Sequence, residues 1–93
     1  MVNALRIHPA DNVAVALQDL PAGVPLSFAE HVPEVEIHTR EAIPFGHKVA
    51  LVFIPVGEQV IKYGAPIGRT TADVAPGQHV HVHNLQSVRG AAQ

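Results

Sequence analysis

The 93-residue sequence has no cysteine, no tryptophan, a single tyrosine and three phenylalanines. Without cysteine there can be no disulfide framework, zinc finger or iron–sulfur cluster. Positive charge is also scarce: six Lys and Arg residues are scattered against eight acids, for a net charge of −2. No basic stripe or aromatic platform is present to hold a nucleic-acid backbone and its bases. The apolar runs, such as VALVFIPV, are far too short to span a bilayer. The N-terminal MVNALRIHPADN lacks a basic segment followed by an apolar one, so no signal peptide is read and the cytoplasm is the expected location. Long amphipathic periods are missing as well; only SFAEHV reads as a single helical turn.

What the chain does have is aliphatic residues and turns. At 47% apolar it can build one small core, and its length fits one domain. One spaced pattern recurs, in LPAGVPL (20–26), IPFGHKV (43–49), IPVGEQV (54–60) and VAPGQHV (74–80). Proline presets φ for a tight turn, and glycine takes the place that wants φ > 0 or no side chain. The three Pro-x-Gly copies suit a type I turn with glycine last, and the Pro-Gly copy suits type II. No longer segment repeats around them, so they are recurrent turns rather than a solenoid. Between turns, DNVAVAL (11–17) places Val13, Val15 and Leu17 inward against small residues. EVEIHTR (34–40) sets Val35 and Ile37 against Glu34, Glu36 and His38. KVALVFI (48–54) reads as a strand covered on both faces, and HVHVH closes the domain. The expected fold is mainly β, a small barrel or clip-like sandwich of short strands over residues 5–86, with tails at 1–4 and 87–93.

Seven residues are histidine, and GQHVHVHNL (77–85) concentrates three of them. On a strand His79, His81 and His83 share one face, and Val80 and Val82 face the core. Neighbours in that row lie roughly 6.5–7 Å apart at Cα and the outer pair about twice that, so at most two could meet one ion. A metal site would then need His8, His47 or a partner chain, and imidazole suits Zn, Fe, Ni or Cu equally. The plainer reading is a solvent-facing strand or an interface edge. Clustered imidazoles, which titrate near neutrality, also suit proton transfer. Asp11-Asn12 reads as an Asx turn opening a strand. His47-Lys48 and Lys62-Tyr63 could hold a carboxylate or sit on a solvated surface. No Ser/His/Asp order, Walker loop or dinucleotide fingerprint is present.

Taken in order, RIHPADNVAVAL, DLPAGVPL, IPFGHKVALVFIPVGEQVIKYGAPIG and TADVAPGQHVHVHN resemble the SAF-type domain of the altronate/galactarate dehydratase family. The resemblance covers about residues 5–85 and implies a β-clip (antifreeze-like) fold. It also implies lyase chemistry on a hydroxy acid: a proton leaves the carbon beside the carboxylate, the β-hydroxyl departs, and the enol tautomerises to a 2-keto-3-deoxy acid. Members are described as metal-dependent, usually with iron, and sulfolactate sulfo-lyase is a related branch built from a small and a large subunit. The chain stops just after HVHN, so the expectation is the small subunit of a two-chain enzyme, inactive alone, with a large catalytic subunit as its partner. On this reading His47, Lys48 and His81 are candidates for proton transfer. Lys62, Tyr63 and Asn84 are candidates for substrate contact. His79, His81 and His83 are candidate ligands of a divalent metal shared with the large subunit. The sulfo-lyase small subunit and a non-catalytic β-clip module binding metal or carbohydrate stay open as alternatives. Nothing in the sequence excludes a homo-oligomer.

Overall fold

The four Pro/Gly turns organise the chain. In the computed structural model, which describes residues 2–29 and 36–87, their glycines Gly23, Gly46, Gly57 and Gly77 have φ between 81° and 87°. His47 N–H donates to Pro44 O, Glu58 N–H to Pro55 O and Gln78 N–H to Ala75 O. Glycine therefore occupies the third position of these turns, the left-handed place of type II. The type I expectation for the Pro-x-Gly copies is corrected: proline opens the turn, and glycine supplies the positive φ.

The apolar residue ahead of each turn pairs with another copy. Leu20 bridges Ile43, and Ile54 bridges Val74, each through two backbone hydrogen bonds of 2.8–2.9 Å. The bonding around the turns also repeats. Gly23 N–H donates to Thr39 O and Gly57 N–H to Thr70 O, while the Thr39 and Thr70 hydroxyls donate to Pro21 O and Pro55 O. Gly46 N–H reaches Ala16 O, and Gly77 N–H reaches Ala50 O. Two halves of the chain thus share one hydrogen-bonding scheme around their recurring Pro/Gly turns.

Short antiparallel strands join these turns: β1 (Ala4–Leu5), β2 (Val13–Ala16), β3 (Lys48–Ala50), β4 (Gln59–Lys62), β5 (Ala65–Thr70), β6 (His79–Val80) and β7 (Leu85–Ser87). They form one sheet in the order β1-β2-β3-β6 and another in the order β4-β5-β7. No helix occurs among the described residues. The mainly β class is as expected. Ala4 and Ser87, assigned to tails by their lack of pattern, already lie in paired strands.

The β2–β3 ladder separates two small cores. Val13 opposes Ala50 and Ala14 opposes Val49. The first pair faces Ile54, Val60, Val74 and Val80, and the second faces Leu20, Ile43 and Leu51. Both faces of the ladder are thus dry. Each fully buried Val or Ile there stabilises the fold by about 1.5–3 kcal/mol relative to exposure. This explains two departures from alternation. Ala14 and Ala16 are buried, whereas Leu17, expected inside, is 39% exposed beyond the end of β2. The KVALVFI strand stops at Ala50, and Val52 and Phe53 turn outward. In the EVEIHTR segment Ile37 is buried, with Glu36 and His38 exposed. Glu34 and Val35 lie outside the described residues, as do the last three residues of SFAEHV and positions 88–93. Residues 27–29 are not helical.

Candidate functional site

The site is built where two equivalent turns release their strands. His47 follows Gly46 at the entrance to β3, and His79 begins β6 two residues after Gly77. β3 and β6 pair with Lys48 opposite Val80 and Val49 opposite His79. Extending that register by one step sets His47 against His81. Their rings stack with centroids 4.0 Å apart and planes 19° apart. His47 Nδ1 lies 2.9 Å from His79 Nε2 in a hydrogen bond whose direction depends on which ring carries the proton. The His79 and His81 rings are nearly parallel, with centroids 5.5 Å apart.

The HVHVH segment is not one strand, which corrects the expected alternation. β6 ends at Val80, and Asn84 folds the chain back. Its side chain donates to His79 O and accepts from His81 N–H, at 2.8 and 2.9 Å. Its own N–H donates to His81 O. Val80 is fully buried as expected, but Val82 is 82% exposed, because it sits on the turn rather than on the core face. The same reversal brings the His83 ring to 5.1 Å from His79, although an extended strand would hold them about 13–14 Å apart.

His47, His79 and His81 each offer a nitrogen, and these atoms lie within 4.8 Å of one another. All three residues are half-buried. Burial, reinforced by the neighbouring His83 and His47 rings and opposed by Glu41, holds the His79 imidazole below its ordinary pKa. Burial, His47 and Lys48 do the same for His81. Both shifts favour the neutral ring, the form that accepts a proton or binds a metal. The donor set fits a divalent transition metal. A metal–nitrogen bond of about 2.0–2.1 Å gives nitrogen–nitrogen edges of about 3.0–3.4 Å, and the His47–His79 contact is already at that scale.

Lys48 stands beside the stack, its ammonium pKa lowered by burial and by Lys62. The Lys62 Nζ lies 4.9 Å from the centroid of the Tyr63 ring. Tyr63 and Gly64 form the two-residue connection between β4 and β5, with φ of 56° and 78°. That is the type I′ pattern usually filled by Asn-Gly. Asn84 is buried with both ends of its amide engaged by the backbone, so it shapes the histidine turn from beneath. His8 is elsewhere: its Nδ1 accepts from Ala10 N–H, and its ring covers Gly64. Asp11-Asn12 fastens the loop before β2 to β4 and its turn. Asp11 accepts from His8 and Gly64 N–H, and Asn12 accepts from Ile61 N–H. Sequence reasoning missed Glu41, whose carboxylate accepts the His79 backbone N–H at 3.1 Å. No spacing signal links the two residues, which lie 38 positions apart.

A separate groove of about 560 Å³ lies between residues 36–40, Leu51–Phe53 and Pro76. It shares no residue with the stack, and its floor is mostly apolar.

Residues 2–88 match the family described as the altronate/galactarate dehydratase SAF domain. The chain is 47% identical over 83 residues to the altronate dehydratase of Escherichia coli K12, covering 89% of this chain and 16% of that enzyme. It is 39% identical over 87 residues to the altronate dehydratase of Bacillus subtilis 168, covering 94% of this chain and 17% of that one. The chain thus spans about a sixth of the length of these relatives. By contrast, the α subunit of the (2R)-sulfolactate sulfo-lyase of Chromohalobacter salexigens, 34% identical over 87 residues, is matched over 93% of its length. With nearly all of its residues inside the matched span, the chain belongs to the altronate/galactarate dehydratase SAF-domain family.

Proposed function

We propose that this chain is the small, histidine-bearing part of a hydroxy-acid lyase that dehydrates a sugar acid of the altronate or galactarate type. A larger catalytic polypeptide completes the pocket, and the assembly works in the cytoplasm. The observation that carries the reading is the convergence of His47, His79 and His81 on one partly open edge, with Lys48 near enough to act on His81 electrostatically, in a chain similar to altronate dehydratases. The histidine edge is only half-buried, and pockets commonly form where two units meet.

The chemistry needs a base for the proton beside the carboxylate, an acid for the departing hydroxyl and positive charge for the enediolate. His81 can take a proton, and the hydrogen-bonded His47–His79 pair stacked beside it can hold another. The Lys48 ammonium faces the developing negative charge, while Lys62 and the Tyr63 hydroxyl provide further donors to a carboxylate. A divalent metal, iron by family resemblance, would supply Lewis-acid stabilisation of that charge when bound; His47, His79 and His81 are the residues of this chain that would hold it.

A second reading, a sulfo-lyase α subunit acting on sulfolactate, is favoured by the near-complete coverage of one such subunit. Assaying the chain with and without a large dehydratase-family polypeptide, on altronate, galactarate and (2R)-sulfolactate, separates the two. Turnover is expected only in the mixture, and the acid consumed identifies the branch. Turnover by the chain alone would overturn the shared pocket. In the active mixture His81→Ala should lower kcat by about a hundredfold or more, with little change in thermal stability.

A further inference from the structure

β6 is the last strand of its sheet, with β3 on one side only. Alternate residues of such a strand turn their backbone groups outward, and those of His79 face away from β3. Side chains meet both of them. The His79 carbonyl accepts from the Asn84 amide at 2.8 Å, and the His79 N–H donates to the Glu41 carboxylate at 3.1 Å. Asn84 belongs to the same loop as His79, whereas Glu41 comes from the other half of the chain. Glu41 opens the segment 41–47, which ends on His47 and is pinned in between. Ile43 is tied to Leu20 by two hydrogen bonds, and the Gly46 N–H donates to Ala16 O. One fixed stretch thus supplies the His47 ring and also grips the backbone from which the His79 ring projects. We infer that Glu41 is a positioning residue, whose hydrogen bond to the His79 N–H sets the 2.9 Å contact between the His47 and His79 imidazoles.

Two features set Glu41 apart from an ordinary surface carboxylate. It is exposed, yet among the described residues it enters no ion pair, the one such pair being Glu36 with His38. Its bond also goes to the backbone of His79 and not to the ring, so it orients the imidazole without occupying either nitrogen. Those nitrogens stay available to His47 and to a reacting group. The carboxylate charge reaches the His79 ring as well, where it opposes the effect of burial. Charge and bond are separable: an amide oxygen at the same place accepts the same N–H and carries no charge. The inference assigns the role to the bond. It rests on the lyase reading only for the kinetic part of its test.

The test compares Glu41→Gln, which keeps an acceptor oxygen and drops the charge, with Glu41→Ala, which drops both. In the full, metal-stripped chain at mildly alkaline pH, proton–nitrogen NMR of the imidazoles reads the tautomers of His47 and His79. Wild type and Glu41→Gln should each hold one proton between the two rings, with clearly separated protonated and unprotonated nitrogen shifts. In Glu41→Ala those shifts should converge toward the averaged values of a free ring. With the large polypeptide, Glu41→Ala should lower kcat by about tenfold or more while KM stays within about twofold, and Glu41→Gln should keep most of the wild-type kcat. Circular dichroism checks folding, and Glu41→Ser, too short to reach the N–H, replaces an alanine variant that does not fold. Unchanged imidazole shifts in Glu41→Ala overturn the positioning role. A glutamine variant as impaired as the alanine one overturns it too, because the effect then belongs to the charge. An NMR difference that stands while the wild-type mixture turns over no acid overturns the lyase reading alone.

Discussion

At the scale of single residues, two glycines with nearly the same backbone conformation carry different burdens. Gly57 and Gly77 have φ of 86° and 87°. A Cβ on Gly57 would meet nothing within 4 Å, whereas one on Gly77 would collide with the backbone oxygen of His38. Gly57→Ala should therefore cost only the left-handed strain, about 1 kcal/mol. Gly77→Ala should add a backbone collision, for about 3–4 kcal/mol in total. Urea denaturation of the two variants measures the difference, and equal losses would refute the close approach. Asp11 sets a pH dependence. Burial pushes its carboxyl pKa up, but hydrogen bonds from the Gly64, His8, Tyr63 and Ile7 backbone outweigh burial and hold it below 3.8. The folded state thus binds the proton less readily than the unfolded chain. This stability is present above pH 3.8 and is lost as pH falls through the lower, folded value. Asp11→Asn turns an amide N–H₂ toward one of these donors and should cost about 1–3 kcal/mol near neutrality. The deficit should shrink in strongly acidic solution, as denaturation curves at the two pH values would show.

At the scale of elements, the turns were legible in the sequence and the ends of the strands were not. Proline and glycine fix backbone geometry locally, so the four P/G motifs announce themselves. Where a strand stops depends on partners distant in sequence, and an alternating HVHVHN gives no sign that Asn84 will cap its own turn. The same reversal determines which histidines meet. His-x-His was readable, but the choice of His47 as the third member came from the β3–β6 register, which no local pattern encodes. Asn84→Ala would leave a buried carbonyl and a buried N–H without their partner. It should cost about 1–3 kcal/mol and loosen the His79–His81 spacing, seen as broadened imidazole resonances by NMR. The β4–β5 hairpin offers the opposite case. Tyr63 sits at φ 56°, where asparagine is far better tolerated. Tyr63→Asn should therefore stabilise the fold by about 0.5–1 kcal/mol, raising its melting temperature. A drop in turnover in the same variant would mark Tyr63 as a substrate contact.

At the scale of the whole molecule, the β2–β3 ladder is a wall with a core on either side, so neither half can shed its packing without exposing the other's. Thermal unfolding followed by far-UV circular dichroism and by Tyr63 fluorescence should give coincident, single transitions; two separable steps would mean that the cores melt independently. His47 enters from the second turn of the first half and His79 from the second turn of the other. The imidazole stack is therefore a suture across the doubled clip. A protease cut between the halves would leave His47 on one fragment and His79 and His81 on the other. Assembly of the histidine edge and closure of the fold are one event.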